Sequence, residues 1–167
     1  MTFSDGIFLQ PFNYDDHIFK TFGWVSNFEL QRLFLLRDNV VWDEHEKYFK
    51  KILTDSSQKV YAILANGKHI GNCGLKNIDL KKNEAELWIY IGKKSEQGKG
   101  IGRFATELLI QKVFQEFGIE MIFIHVADFN IRALSMYRSI GFREVNLKNN
   151  GEWADRGCNI VRMELYK

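Results

Sequence analysis

A chain of 167 residues is the size of one domain and long enough to bury roughly 70% of its unfolded surface. Its 46% hydrophobic and 26% charged residues are those of a globular protein, which excludes a charge-rich disordered segment. A formal net charge of +2 is too small to argue for a nucleic-acid or membrane-surface partner. No apolar run approaches the ~20 residues that cross a bilayer, and no N-terminal run has signal-peptide character, so a cytoplasmic location is expected. Cys73 and Cys158 form no disulfide framework and have no metal-ligand spacing. Cys73, inside the strand-like Ile70–Gly74 run, reads as inert packing, and no metal site is expected.

Ile7–Gln10 reads as a first strand, stopped by Pro11. Asn13 is placed to cap a helix from Tyr14 to about Thr21. Ser26–Leu35 reads as a second helical piece. Asp43–Leu53 is a clearer helix, with Asp43 and Glu44 at its positive end and Lys50 and Lys51 near its C-terminus. Val60–Leu64 meets the next strand, Lys68–Asp79, across Asn66-Gly67, the strongest short hairpin signal. A Lys81-Lys82-Asn83 turn leads into a strand from Glu84 to Ile91. Along it Ala85, Leu87, Ile89 and Ile91 share one face, and Glu84, Glu86, Trp88 and Tyr90 the other. The period then turns helical: Ile101, Phe104, Ala105, Leu108, Leu109, Val113 and Phe117 form one stripe, ended by Gly118. Met121–Val126 is a buried strand in which His125 reads as a packed histidine, whereas His17 and His69 read as surface. Asp128 or Asn130 caps a short helix to about Ile140, Gly141 breaks it, and strands Phe142–Leu147 and Asn159–Leu165 follow. Strand, Gly-loop, helix and parallel strand make a right-handed crossover. With antiparallel hairpins around it, the expectation is an α/β fold: a mixed sheet with helices on both faces, in a single domain over residues 1–167 with no linker or repeat.

The hexapeptide Gln97-Gly98-Lys99-Gly100-Ile101-Gly102 joins a strand to an amphipathic helix. Gly-rich backbone at a helix start gathers N–H groups on one spot, with the positive end of the helix dipole behind them, and phosphate binds there. Spacing excludes two familiar versions. A P-loop needs Ser or Thr after its Gly-Lys, but Lys99 precedes Gly100; a dinucleotide fingerprint begun at Gly98 would need Gly where Arg103 stands. Lys93, Lys94, Lys99 and Arg103 crowd the loop and suit an anionic cofactor.

These residues resemble the GNAT superfamily of acyl-CoA N-acyltransferases. Its phosphate-loop pattern, Arg/Gln-x-x-Gly-x-Gly/Ala, is met by Gln97, Gly100 and Gly102. A second signature follows one helix and one strand later in Asn130, Arg132-Ala133-Leu134, Tyr137 and Gly141-Phe142. The similarity covers roughly Val60 to Glu144. The resemblance implies a largely antiparallel sheet of about seven strands, with a splayed parallel pair at the cofactor site. It implies acetyl-CoA as acyl donor, its pyrophosphate on the N–H groups of Gly98, Lys99, Gly100, Ile101, Gly102 and Arg103, with Gln97 and Arg132 beside them. The main chain of Trp88, Ile89, Tyr90 and Ile91 would pair with the pantetheine amides and supply an N–H to the acetyl carbonyl, and Asn130 would reach the pantetheine. By the same resemblance Glu86 is the general base, with Glu84 as alternate, and Tyr137 is the acid that protonates the departing thiolate.

Trp24-Val25-Ser26-Asn27 and Glu44-His45 with Tyr48-Phe49 are similar to a pattern in relatives that act on nucleotide-linked amino sugars, including those of pseudaminic-acid-type surface-sugar pathways. Val25 stands where that pattern has Arg. Trp24, His45 and Tyr48 are the expected acceptor contacts; the aromatics Trp24, Trp42, Tyr48 and Phe49 can stack a ring or fill a core. Two other acceptors stay open: a polyamine, for which Glu29, Asp38, Asp43, Glu44 and Glu46 offer carboxylates, and a protein N-terminus. A non-catalytic acetyl-CoA-binding module is the alternative of a different class. The partners expected are acetyl-CoA and a small-molecule amine; the many phenylalanines fill a core or cover a homodimer interface.

Overall fold

Turn chemistry and side-chain alternation set the sheet before any helix packs on it. The structure is a computed structural model that describes residues 6–36, 39–146 and 157–167. Asn66 and Gly67 both take positive φ, 49° and 72°, the turn geometry whose twist matches the strands it joins. It sets β2 (Lys59–Ala65) against β3 (Lys68–Asp79). β1 (Ile7–Pro11) adds to the outer edge of β2, and β4 (Glu84–Ile91) lies antiparallel to β3. Helix α4 (Ile101–Glu116) crosses to β5 (Met121–Ala127), so the β4–β5 pair is parallel. β6 (Arg143–Val145) and β7 (Ile160–Tyr166) complete a seven-stranded sheet of order β1-β2-β3-β4-β5-β7-β6. This is the mixed, mainly antiparallel sheet expected from the sequence.

Helices cover both faces. On one, α4 and α5 (Ile131–Ile140) bury Leu109, Val113 and Leu134 against Leu75, Leu87, Ile122 and Met163. Each such side chain, removed from water, contributes roughly 1.5–3 kcal/mol before the entropy of ordering is subtracted. On the other face lie α1 (Tyr14–Val25), α2 (Phe28–Leu33) and α3 (Trp42–Ile52), with Ile18, Phe49 and Ile52 packed on Val60 and Trp88. The period-two alternation of β4 makes this division: Leu87 and Ile89 join the first layer, Trp88 and Tyr90 the second.

Several elements differ from the sequence expectation. Pro11 belongs to β1 rather than stopping it, because β1 is an edge strand where a missing N–H removes no ladder bond. α1 runs past Thr21 to Val25; Gly23 lies inside it, and burial of Val25 outweighs a propensity cost of about 1 kcal/mol. The piece expected over Ser26–Leu35 narrows to α2, since Asn27 caps it, its Oδ1 accepting from the Leu30 N–H at 3.2 Å, and Leu35 turns left-handed at φ 54°. Leu147, expected to end the strand that became β6, lies outside the described residues.

His17 and His69 are buried, at 4% and 6% exposure, not at the surface. α1 lays His17 over His69 of β3 with ring centroids 4.6 Å apart, and Phe12 and Trp24 close the sides. Asn72 ties this layer together: its Oδ1 accepts from His69 Nε2, and its Nδ2 donates to the Thr21 and Tyr90 hydroxyls, each at 2.8 Å.

Candidate active site

β4 and β5 pair only at Glu84↔Met121, Ala85↔Ile122 and Glu86↔Phe123. Beyond Glu86 they part, while the other edge of β4 stays paired with β3 up to Ile91. The β5-facing main chain of Leu87–Ile91 is therefore an open sheet edge inside the molecule, an arrangement that calls for a hydrogen-bonding guest. A cavity of about 400 Å³ occupies the gap. Because it lies in the plane of the sheet, side chains from both faces meet there: Leu87, Ile89 and Tyr137 from the α4–α5 side, and Glu86, Trp88, His45 and Tyr48 from the other.

Past the end of β4, a single 3-10 turn (Lys94–Glu96) leads to the Gly-rich loop. Gln97 Nε2 donates to the Ile91 carbonyl at 2.8 Å and ties the loop back to the strand. Gly98 and Gly100 take left-handed φ of 76° and 80°. Gly100 is the N-cap of α4, with no side-chain cap and no acidic residue in the first turn. The leading N–H groups of α4 are thus left for a ligand, with the helix dipole behind them. The Ile101 side chain is buried in the core, so only its main chain serves the loop. Arg103 lies in the first turn, and Arg132 reaches Gly98, where an added Cβ would stand 3.2 Å from its Nη2. Lys99 and Lys93 bond Glu96 at 3.1 and 3.7 Å, Lys94 bonds Glu29 at 3.3 Å, and Arg103 bonds Glu107 at 3.0 Å. Exposed pairs of this kind are worth little and exchange readily for a phosphate. The uncapped N–H groups at the loop, with Arg132 beside Gly98, suit a pyrophosphate, and the unpaired edge of Trp88–Ile91 suits an amide-bearing chain.

Glu86 stands where the strands part and is 5% exposed. Its Oε1 accepts from His125 Nδ1 at 2.9 Å and lies 3.3 Å from Lys76 Nζ; its Oε2 accepts from Asn77 Nδ2 at 2.8 Å. Asn77 reaches it because β3 bulges between Lys76 and Asp79, with Asn77 itself at φ 52°. Burial works to raise the carboxyl pKa, but the His125 hydrogen bond, the Lys76 charge and the Asn77 hydrogen bond together hold it below the ordinary value. Tyr137 of α5 is 3% exposed and packs on Phe142; burial raises its phenol pKa and keeps it protonated. Its hydroxyl makes no hydrogen bond among the described residues. His45 is also buried; one ring nitrogen bonds the Ile18 main chain and Nε2 has no partner. Burial lowers its pKa, so the ring is neutral.

The remaining expected site residues have varied placements. Asn130 lines the cavity, yet its Oδ1 caps Ala133 N–H at 3.2 Å and its Nδ2 donates to the Leu33 carbonyl at 3.1 Å. Tyr48 lines the cavity and is half-exposed. Trp24 does not line it: the indole lies against Gly92, where a Cβ would sit 2.0 Å from its Cδ2, and against His69. Its role is to close the packing at the end of β4. Trp42 stacks on Phe19 at 4.9 Å. Glu84 faces Lys82 at 3.8 Å, away from the cavity. Of the carboxylates counted for a polyamine, Glu44 alone among the described residues is on the wall; Asp38 lies outside the described residues.

His125, expected as packing, is on the cavity wall and bonded to Glu86. Its strand position shows that it shares a face with Phe123, the register partner of Glu86, but only the sheet pairing reveals this. Lys76 and Asn77 escaped sequence reading for the same reason. Among the described residues no group of three or more His, Cys, Asp or Glu is placed to hold a metal, and no helix is long and apolar enough to cross a membrane.

An uncharacterized protein of Methanocaldococcus jannaschii is 23% identical over 141 residues, 83% of this chain and 28% of that protein, so the chain spans little more than a quarter of its length. Acetyltransferase PseH of Campylobacter jejuni is 24% identical over 121 residues, 72% of this chain and 73% of its own. The crystal structure of spermidine N-acetyltransferase from Vibrio cholerae in complex with CoA and spermine superposes with a TM-score of 0.88 at 22% identity, covering 98% of this chain and 96% of that one. The fold is therefore shared with that enzyme. A model of the acetyltransferase (GNAT) domain matches residues 7–143, from the first residue of β1 to the first of β6, and on that match the chain belongs to the GNAT acetyltransferase family.

Proposed function

We propose that this chain transfers an acetyl group from acetyl-CoA to a primary amine, and that the amine is carried by a nucleotide-linked amino sugar. The opening between β4 and β5 carries the reading: an unpaired main-chain edge, a buried carboxylate and an unbonded phenol converge there on one cavity. Acetyl-CoA supplies an activated acyl carbon with a thiolate leaving group. An N–H on the Trp88–Ile91 edge polarises the acyl carbonyl. The Glu86 side of the cavity removes the amine proton; for a lysine-like amine only about one molecule in a thousand is neutral near pH 7.4, a deficit of roughly 4 kcal/mol. The Tyr137 hydroxyl protonates the thiolate. A phenol is weaker than a thiol by about 1.5 pK units, roughly 2 kcal/mol, which a polarised site can offset.

The cavity wall supports a ring-bearing acceptor. Phe34, Leu36, Val40, Phe49 and Trp88 make it largely apolar, whereas a polyamine brings several ammonium groups that each need a carboxylate. Glu86 already holds Lys76 and His125. His45 Nε2 offers an acceptor to a sugar hydroxyl or amine. The likeness to PseH supports the same choice. The reading places the protein in the cytoplasm with its donor, and takes the exposed Phe19 and Phe28 as part of a homodimer surface. Thiol release from acetyl-CoA is the test, with a UDP-linked 4-amino sugar, spermidine and a short peptide as acceptors. A signal confined to the sugar is expected. Release with spermidine alone would move the acceptor to polyamines, and silence with all three beside tight acetyl-CoA binding would leave a binding module.

A further inference from the structure

Resting on the acetyl-transfer reading, we propose that His125, rather than Glu86, takes the proton from the attacking amine, and that Glu86 serves to position it. An ionised carboxylate only accepts hydrogen bonds, so the 2.9 Å contact with Glu86 Oε1 puts the hydrogen on His125 Nδ1. In the neutral ring Nε2 then keeps its lone pair. His125 makes no other hydrogen bond among the described residues, its side chain is 18% exposed, and it lines the cavity. Glu86 is in the opposite condition: both its oxygens are engaged and the carboxylate is buried. To take a proton it would have to surrender a hydrogen-bond donor and give up its charge attraction for Lys76.

Sheet register fixes the pair. Glu86 is level with Phe123 across the parallel ladder, and His125, two residues on, presents its ring on the same face. The imidazole is held at its edge by the Phe123 ring, 5.7 Å away. The charged and titratable groups around it are Lys76 from β3, Glu86 from β4, and Arg162 with Glu164 from β7. Arg162 bonds Glu164 at 2.9 Å and covers the Phe123 ring at 3.9 Å, so its charge is already matched. Glu44 of α3 and Tyr137 of α5 share the cavity. The ammonium gives one proton to His125 Nε2, which passes it to solvent through the cavity mouth. The neutral nitrogen forms the C–N bond as the C–S bond breaks. The second nitrogen proton, shed as the amide forms, restores the Tyr137 phenolate that gave its own proton to the thiolate, so one proton is released for each acetyl group transferred.

Three measurements test the assignment. His125→Gln should lower kcat about 100- to 1,000-fold, leave the KM for acetyl-CoA unchanged and remove the acid limb of the kcat/KM profile. Glu86→Gln should lower kcat less and keep that limb. In the folded wild-type protein, nitrogen-15 NMR of the imidazole should show Nδ1 protonated and Nε2 bare, and Glu86→Gln should mix the tautomers. The reverse tautomer in wild type would overturn the proposal whether or not any amine is acetylated. So would a His125→Gln enzyme within threefold of wild type beside a Glu86→Gln enzyme that loses the limb. Silence of the wild type toward every amine, with the expected tautomer present, would instead sink the transfer reading beneath it.

Discussion

Tyr137→Phe separates a catalytic phenol from a packing residue, because the two roles predict opposite changes in stability. The ring is 3% exposed and lies 5.5 Å from the Phe142 ring, so phenylalanine keeps the contacts that hold α5 on the sheet. The hydroxyl makes no hydrogen bond among the described residues. Removing it costs no protein partner and relieves the burial of a polar atom, an effect of about 1–3 kcal/mol in a dry site and less beside a wet cavity. The variant should therefore be as stable as wild type or more stable by about 1 kcal/mol, a Tm rise of up to roughly 2–4 °C for a chain this size. Its kcat should fall about 100- to 10,000-fold, the span of a lost general acid, with donor affinity nearly intact. Thermal melting, donor binding by calorimetry and thiol release together read the three quantities. Turnover within twofold of wild type would refute the acid role, and a Tm several degrees lower would show that the hydroxyl was holding structure.

Gly100→Glu should raise the acetyl-CoA Kd at least about tenfold, because an L-residue at φ 80° costs about 1–2 kcal/mol and the new carboxylate repels phosphate; an unchanged Kd would remove the loop from the donor site. His45→Phe should raise the acceptor KM about two- to tenfold, the worth of one neutral hydrogen bond, and leave the donor KM alone; equal changes in both would refute an acceptor contact. Stability should fall as pH drops from 7 toward 4. Burial pushes the His69 pKa down to about 4, against the Asn72 hydrogen bond, and burial lowers His17 and His45 too. The unfolded chain, with histidines near 6.5, binds more protons in that window, so folding is fully favoured above pH 6.5 and loses stability below it. His69 alone accounts for about 2 kcal/mol between pH 7 and pH 5. A Tm that is flat over this range would mean that the histidine layer is open to water.

The strands around the site were legible because their signals are local. Asn66-Gly67 fixes a hairpin, and the alternation from Glu84 to Ile91 assigns each β4 side chain to a face, so β3 and β4 begin and end where expected. The geometry of the Gly-rich loop was legible for the same reason: its left-handed glycines and the start of α4 are consecutive in the chain. The polar cluster around Glu86 was not. Lys76, Asn77, Glu86 and His125 come from three strands, and a bulge in β3 shifts the register just where Asn77 must reach Glu86. His17 and His69, expected at the surface, are buried because α1 lies across β3, a contact between elements that no local signal shows. Trp24 misled in the other direction, since an aromatic beside a site is equally useful as a wedge.

The short β4–β5 ladder has a mechanical consequence. Three residue pairs join β1–β4 to β5–β7–β6, so the backbone of the sheet carries a seam, crossed also by the His125–Glu86 hydrogen bond, by main-chain bonds at Asn83 and by side-chain packing beneath α4 and α5. A donor lying along Leu87–Ile91 would act as a stitch, adding main-chain bonds to one lip of the seam and phosphate contacts at its end. Local opening along such a line costs less than global unfolding, and ligand at about 100 times its Kd adds roughly 2.7 kcal/mol to the folded state. Amide exchange along Leu87–Ile91 should therefore slow with donor occupancy, and the lifetime of the protein under heat or proteolysis becomes a gauge of how much acetyl-CoA surrounds it.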